Sequence, residues 1–270
     1  MLDHGAASES AAARPLLLLH GGMGHSRWWD FVAPALTEVA HPFALDRRGH
    51  GDSDWVDPER YGWERDLLDA EEAMRRLSGL PWILAGHSQG GLLAVHLATR
   101  GNVPLRELIL VDVPLEPQSP SLQRAGQAFR RIPQIRYPSL DAAVQRFQPF
   151  PPQHHVPPAV LDYVARHSFK PAGDGDQLVA KFHWKSYQRD LRHEANPLAD
   201  HRARLGALAV PVLSVRGAES TILSREDQAE LLHTLRDGCG IEIPHATHSL
   251  HVEQPDLVAA AIREFLSRDA

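Results

Sequence analysis

Gly86-His87-Ser88-Gln89-Gly90 sets a serine between two glycines. An apolar run, Trp82-Ile83-Leu84-Ala85, precedes it, and a helix-like run, Gly91 to Thr99, follows. The pattern is G-x-S-x-G, and a strand-to-helix junction is the context that gives it meaning. Glycines on both sides let a strained backbone pass without side-chain collision. Such a bend lifts Ser88 Oγ out of the sheet and places it near a helix N-terminus. Free N–H groups and the helix dipole there favour a developing negative charge. The chemistry this suits is nucleophilic attack by a hydroxyl. Serine is inert at neutral pH until a base takes its proton, so an imidazole must come from elsewhere in the chain. A glycine-rich turn with no chemical role is the competing reading of the same residues.

Positioning such a serine needs a rigid frame, and the rest of the chain reads as one. Pro15–Leu19, Phe43–Leu45, Trp82–Ala85, Leu108–Val111, Val212–Val215 and Gly240–Ile243 are short apolar runs without in/out alternation, as suits strands covered on both faces. Between them lie helical patterns at Glu64–Leu77, Gly91–Thr99, Ser224–Leu235 and Pro255–Leu266. Ser224 has the place of an N-cap, with Asp227 three residues on. The alternation predicts an α/β fold, a mostly parallel central sheet flanked by helices. Residues 115–201 break the rhythm with most of the prolines and several aromatics. Helices are expected there at Leu122–Arg130, Leu140–Phe147, Ala159–His167 and Leu178–Leu191, with no buried strand. The expected organisation is a core of 1–114 and 202–270 and a helical cap or lid insertion of 115–201. Residues 1–14, rich in Ala and Ser, read as a frayed start.

Taken together, the chain resembles the α/β-hydrolase fold superfamily, of the lidded serine esterase and carbon–carbon hydrolase type. The resemblance runs from Pro15 to Leu266 and rests on three further segments. Leu19-His20-Gly21-Gly22-Met23-Gly24 resembles the family's His-Gly oxyanion loop. That match implies that the N–H of Gly22 pairs with that of Gln89, with Met23 as the fallback donor if the register slips by one. Asp46-Arg47-Arg48-Gly49-His50-Gly51-Asp52-Ser53 resembles the D-x-R-G-x-G-x-S loop, whose charged pairs are structural in the family. Ala246-Thr247-His248-Ser249-Leu250-His251-Val252-Glu253-Gln254-Pro255 resembles the loop that carries the catalytic histidine. By that match His248 is the base, alone in such a frame among 17 histidines, and His251 packs.

The acid has two candidates. The family usually places it after the strand Val212–Val215, but there the chain reads Arg216-Gly217-Ala218-Glu219-Ser220-Thr221, with Ser220 and Thr221 where an aspartate is expected. Glu219 is the carboxylate in reach. Some relatives place the acid one strand earlier, where this chain has Asp112. Asp112 is preferred and Glu219 is the runner-up. A buried carboxylate is required either way, to fix the imidazole tautomer and stabilise its cation. The family also commonly has two more strands before the His-Gly loop, so that edge of the sheet is expected to be absent or reduced.

The resemblance implies hydrolysis of a carboxylic ester, or of a related amide, lactone or thioester, through an acyl-enzyme on Ser88. Carbon–carbon hydrolysis of β-diketone-like substrates and cofactor-free oxygenation are the alternatives within the fold. The net charge of −6 and the lack of a basic stripe argue against a nucleic-acid partner. No apolar run approaches the length of a membrane span, and no secretory signal is evident at Met1-Leu2-Asp3-His4. One cysteine, Cys239, rules out an intrachain disulfide and fits a cytoplasmic setting. Neither a metal nor a cofactor is expected. The expected partner is a small molecule, and Phe147, Phe150, Trp184 and Tyr187 suggest that it carries an apolar or aromatic group.

Overall fold

The computed structural model describes residues 1–114, 134–173, 175–188 and 201–268. The main sheet has seven strands: β1 (Leu2–Asp3), β2 (Pro15–Leu19), β3 (His41–Leu45), β4 (Trp82–His87), β5 (Leu105–Val111), β9 (Val212–Gly217) and β10 (Gly238–Ile243). Their spatial order is β1-β3-β2-β4-β5-β9-β10, parallel throughout except for β1 against β3. Helices α2 (Trp63–Leu77), α3 (Gln89–Arg100), α7 (His201–Ala207), α8 (Arg225–Thr234) and α10 (Pro255–Leu266) flank it; α1 is the single turn Glu9–Ala12.

Four consecutive leucines show how sequence builds the layers. Side chains of a strand alternate between faces. Leu16 and Leu18 therefore join a cluster with Ile83, Ile109, Val215, Val258, Ile262 and Phe265 on the α10 side. Leu17 and Leu19 join Leu67, Met74, Leu84, Leu93, Leu97 and Leu110 on the side of α2 and α3. All four leucines are fully buried, worth about 1.5–3 kcal/mol each. Truncating any of them to alanine would open a cavity at the centre of the sheet.

Parallel strands carry their C-terminal ends to one edge, where open α/β sheets bind ligands. The His20 loop follows β2, the Asp46 loop follows β3, Ser88 follows β4, Asp112 follows β5 and Glu219 follows β9. His248 follows β10 and enters the turn α9 (Leu250–Glu253). Because β5 and β9 are hydrogen-bonded neighbours, the Asp112 and Glu219 loops lie side by side despite their separation in sequence.

Two expectations are corrected. The N-terminal stretch is ordered: Leu2 and Asp3 pair with Ala44 and Phe43, and Ser8 Oγ caps α1 by accepting the Ala11 N–H. The reduced edge is thus a two-residue strand. Residues 134–188 also are not purely helical. Helices α4 (Leu140–Gln145), α5 (Pro158–His167) and α6 (Lys185–Gln188) accompany an antiparallel sheet of β6 (Arg136–Tyr137), β7 (Phe169–Pro171) and β8 (Leu178–Ala180), in the order β6-β8-β7. The stretch expected to be helical from Leu178 begins as β8, because pairing on both edges buries Val179. The helix expected at Leu122–Arg130 and the end of the one expected to reach Leu191 lie outside the described residues. Among the described residues, no helix is long and apolar enough to cross a membrane.

Candidate active site

The bend after β4 is as tight as the glycines suggest. Ser88 has φ +50° and ψ −119°, a left-handed strain that a serine seldom bears. A Cβ on Gly86 would fall 2.4 Å from the Gly90 carbonyl oxygen, and one on Gly90 would fall 2.3 Å from the Leu19 oxygen. Only glycine fits at either place. The Ser88 N–H donates to Val111 O at 3.1 Å, tying the bend to β5. Ser88 occupies the N-cap position of α3, yet its hydroxyl does not cap the helix. A serine there ordinarily spends its oxygen on the helix; this one leaves it to the cavity.

Next to the hydroxyl are backbone donors. The N–H groups of Gly22 and Gln89 have no acceptor among the described residues. The N–H of Met23 donates to Tyr187 Oη at 2.7 Å, so it is already spent. The Gly21–Gly22 peptide is held from its carbonyl side. His20 Nδ1–H donates to Gly21 O at 2.8 Å, and the Gly24 N–H approaches the same oxygen at 3.3 Å. His20 Nε2 accepts the Arg47 N–H, which fixes the tautomer.

His248 and Asp112 form a buried pair. The imidazole Nδ1–H donates to Asp112 Oδ2 at 2.7 Å, and Asp112 is fully buried. Its other oxygen accepts the Gly217 N–H at 3.2 Å. Asp112 also sits at φ +50°, a conformation that aspartate tolerates better than most residues. Ser220 Oγ–H donates to Asp112 Oδ2 at 2.6 Å and itself accepts the N–H groups of Ile222 and Leu223. So Ser220, which stands where an aspartate is expected, donates its hydroxyl proton to the aspartate that follows the neighbouring strand. Glu219 lies elsewhere, about half exposed, and accepts from His155 Nε2 at 2.9 Å. Ser88 Oγ makes no hydrogen bond to the imidazole in this arrangement; such contacts often tighten only with substrate in place.

Other imidazoles surround the pair. His87 Nε2–H donates to the His248 carbonyl at 2.9 Å, and its ring centroid is 4.6 Å from that of His248. Burial drives His87 well below the ordinary histidine value and takes His251 down to about 3, so both are neutral near pH 7. His251 packs against Trp29 with centroids 4.7 Å apart and neither ring nitrogen bonded among the described residues.

The segment between β5 and β9 grips the His248 loop from both sides. Gln153 Oε1 accepts the Thr247 Oγ1–H at 2.6 Å and the Ser249 N–H at 2.8 Å. The buried Glu253 carboxylate accepts the N–H groups of Thr247, His154 and His155. Ser220, Gln153 and Glu253 were not singled out from sequence. A sign existed for Glu253, in its place before Gln254-Pro255, and for Ser220, in the loop that lacked an aspartate; none existed for Gln153.

Ser88, Gln89, Gly22 and His248 share the wall of one cavity of about 250 Å³. A second, of about 260 Å³, adjoins it at Gly22, Trp28 and Phe150 and is lined by Tyr137, Phe147, Phe169, Phe182 and Trp184.

A family model described as the alpha/beta hydrolase family matches residues 16–261. A 3-hydroxybutyrate-oligomer hydrolase of Cupriavidus necator is 28% identical over 95% of this chain and 90% of its own length. An esterase of Mycobacterium tuberculosis is 26% identical over 94% of this chain and 83% of its own. A solved structure of that esterase superposes with a TM-score of 0.76 at 24% identity, covering 95% of this chain and 86% of the other. At that identity the superposition speaks for the fold alone.

Proposed function

From the premise that the chain belongs to the alpha/beta hydrolase family, we propose that it is a serine esterase. Ser88 is the nucleophile, His248 the base and Asp112 the acid. The hydrogen bond from His248 Nδ1 to the buried Asp112 carries this reading. With Nδ1–H spent on the carboxylate, Nε2 is the nitrogen left to take a proton.

In the proposed cycle, Ser88 Oγ attacks the ester carbonyl carbon as His248 Nε2 takes the hydroxyl proton. The Gly22 and Gln89 N–H groups receive the oxyanion. Removing one such donor typically costs about 3–4 kcal/mol of barrier. The tetrahedral species collapses, and the imidazolium gives its proton to the departing alcohol. Water, deprotonated by His248, then releases the acid from Ser88. The neutral rings of His87 and His251 place no competing charge beside the imidazolium. The aromatic cavity beyond Gly22 and Trp28 supports an apolar or aromatic group on one side of the ester.

The test joins covalent labelling to turnover. A fluorophosphonate should modify Ser88, and Ser88→Ala should lose both the label and at least about 10³-fold in p-nitrophenyl ester hydrolysis. Ester turnover that survives Ser88→Ala would sink the reading. Oxygen uptake surviving the same substitution would favour cofactor-free oxygenation, and cleavage of a β-diketone in preference to esters would favour carbon–carbon hydrolysis.

A further inference from the structure

Arg47 and Arg48 are neighbours in one loop and have different fates. Arg48 makes a two-pronged pair with Asp69, Nε to Oδ2 at 2.6 Å and Nη2 to Oδ1 at 2.7 Å, and its Nη1 donates to Arg60 O at 2.7 Å. Asp46, on the other side, accepts the Ser26 and Asp52 N–H groups. Both are structural braces. Arg47 lies between them, in the position that the loop pattern leaves open, and its side chain is only 3% exposed. It lines the cavity that holds Ser88 and His248.

The surroundings of Arg47 do not match its charge. A guanidinium offers five donors in a planar fork suited to a carboxylate. The firm contact is Nη2 to the neutral Gln89 Oε1 at 2.9 Å; Nη2 to Gly21 O is 3.5 Å. The Tyr187 hydroxyl is a further neutral partner. Among the described residues the one carboxylate in reach is Asp66, single-pronged at 3.5 Å. Nε is buried with no partner among the described residues, as is that of Arg14. By contrast the equally buried Arg216 is paired closely with Glu242, and Arg14 meets Glu107 at 2.9 Å. A buried charge is ordinarily matched by a close opposite charge. Among the described buried arginines Arg47 lacks such a match, and it lies on the wall of the site.

Through Gln89 the cation is also tied to the residue whose backbone N–H faces the oxyanion. An anion bound at Arg47 would therefore lie within a few bonds of the scissile carbonyl. We propose that Arg47 is the carboxylate-binding subsite of this enzyme, and that its substrate is an ester bearing a free carboxylate on one side of the carbonyl and an apolar group on the other. This rests on the esterase reading above.

Two matched pairs of esters test it: p-nitrophenyl valerate against mono-p-nitrophenyl glutarate, and phenyl butyrate against 3-carboxyphenyl butyrate. The native enzyme should prefer the charged member of one pair by tenfold or more in kcat/KM, chiefly through KM. Arg47→Gln should lose at least tenfold more on that member than on its neutral partner, and Arg47→Lys should recover part of the loss. Absence of a preference in both pairs, or a parallel fall of both members in Arg47→Gln, overturns the proposal. The native preference needs no variant to fold. A binding arm separates this from a failure of the esterase reading. The amide analogues come in the same two pairs, glutaric acid monoanilide against valeranilide and 3-butyramidobenzoic acid against butyranilide. In the pair that matches the preferred ester the charged member should bind Ser88→Ala protein at least tenfold tighter, and adding Arg47→Gln should abolish the difference. Equal binding within both amide pairs overturns the subsite whether or not any ester is cleaved.

Discussion

Asp112 and Glu219 end adjacent strands and face the same edge of the sheet, yet they live in different physical worlds. Asp112 is sealed from solvent and takes three donors: the His248 ring, the Gly217 N–H and the Ser220 hydroxyl. Glu219 is about half exposed and meets His155, with His245 at 3.9 Å. The first arrangement fixes a carboxylate against an imidazole and excludes water from the pair. The second is a surface contact of small worth. A carboxylate's role is thus decided by the donors and the dry space that its loop supplies, and strand order brings two such loops within a residue or two of each other.

The sharpest way to break this comparison is to neutralise each acid in turn. Asp112→Asn should cost on the order of 10⁴-fold in kcat by favouring the wrong imidazole tautomer. Glu219→Gln should stay within about threefold of the native rate in the same assay. Comparable losses would mean that the two acids share the work. A subtler change is Ser220→Ala, which removes one donor from Asp112 and an acceptor from two backbone N–H groups. At about 1–3 kcal/mol for such a loss, kcat should fall about tenfold with KM little altered. An unchanged kcat would mean that Ser220 only shapes its turn.

The smallest effect concerns the other carboxylate. A hydrogen bond to Glu219 raises the pKa of His155, and the same bond lowers that of Glu219. The histidine contribution is complete below its ordinary value of 6.5 and fades as pH rises through its raised value. The glutamate contribution is complete above its ordinary 4.5 and fades as pH falls through its lowered one. Glu219→Gln should therefore reduce Tm most between those two ordinary values, by no more than about a degree or two. A larger deficit above neutrality would show that something other than this pair is lost.

Much of the frame was readable from local pattern. The apolar runs begin within a few residues of the observed strands, and the helical periods match α2, α3, α8 and α10, because long buried elements impose regular spacing. The strands β6, β7 and β8 were not readable, since two or three residues carry no alternation. The site divides along the same line. Ser88 lies at a junction that its own neighbours define. The partner of His248 depends on which loops converge, and that is a property of strand order. Ser220 reads in sequence as a missing aspartate, and in the fold its hydroxyl donates to the aspartate next door. Arg47 reads in sequence as part of a structural loop of charged pairs, and which groups face it is set by the fold.

The hold of Gln153 on Thr247 and Ser249 has a consequence for how such enzymes diversify. The region that shapes the aromatic cavity also steadies the loop that carries His248. Grafting that region from a cousin would bring a new pocket and slacken the machinery in one stroke. Specificity and reactivity in this molecule are inherited together, and a change of diet must be made residue by residue.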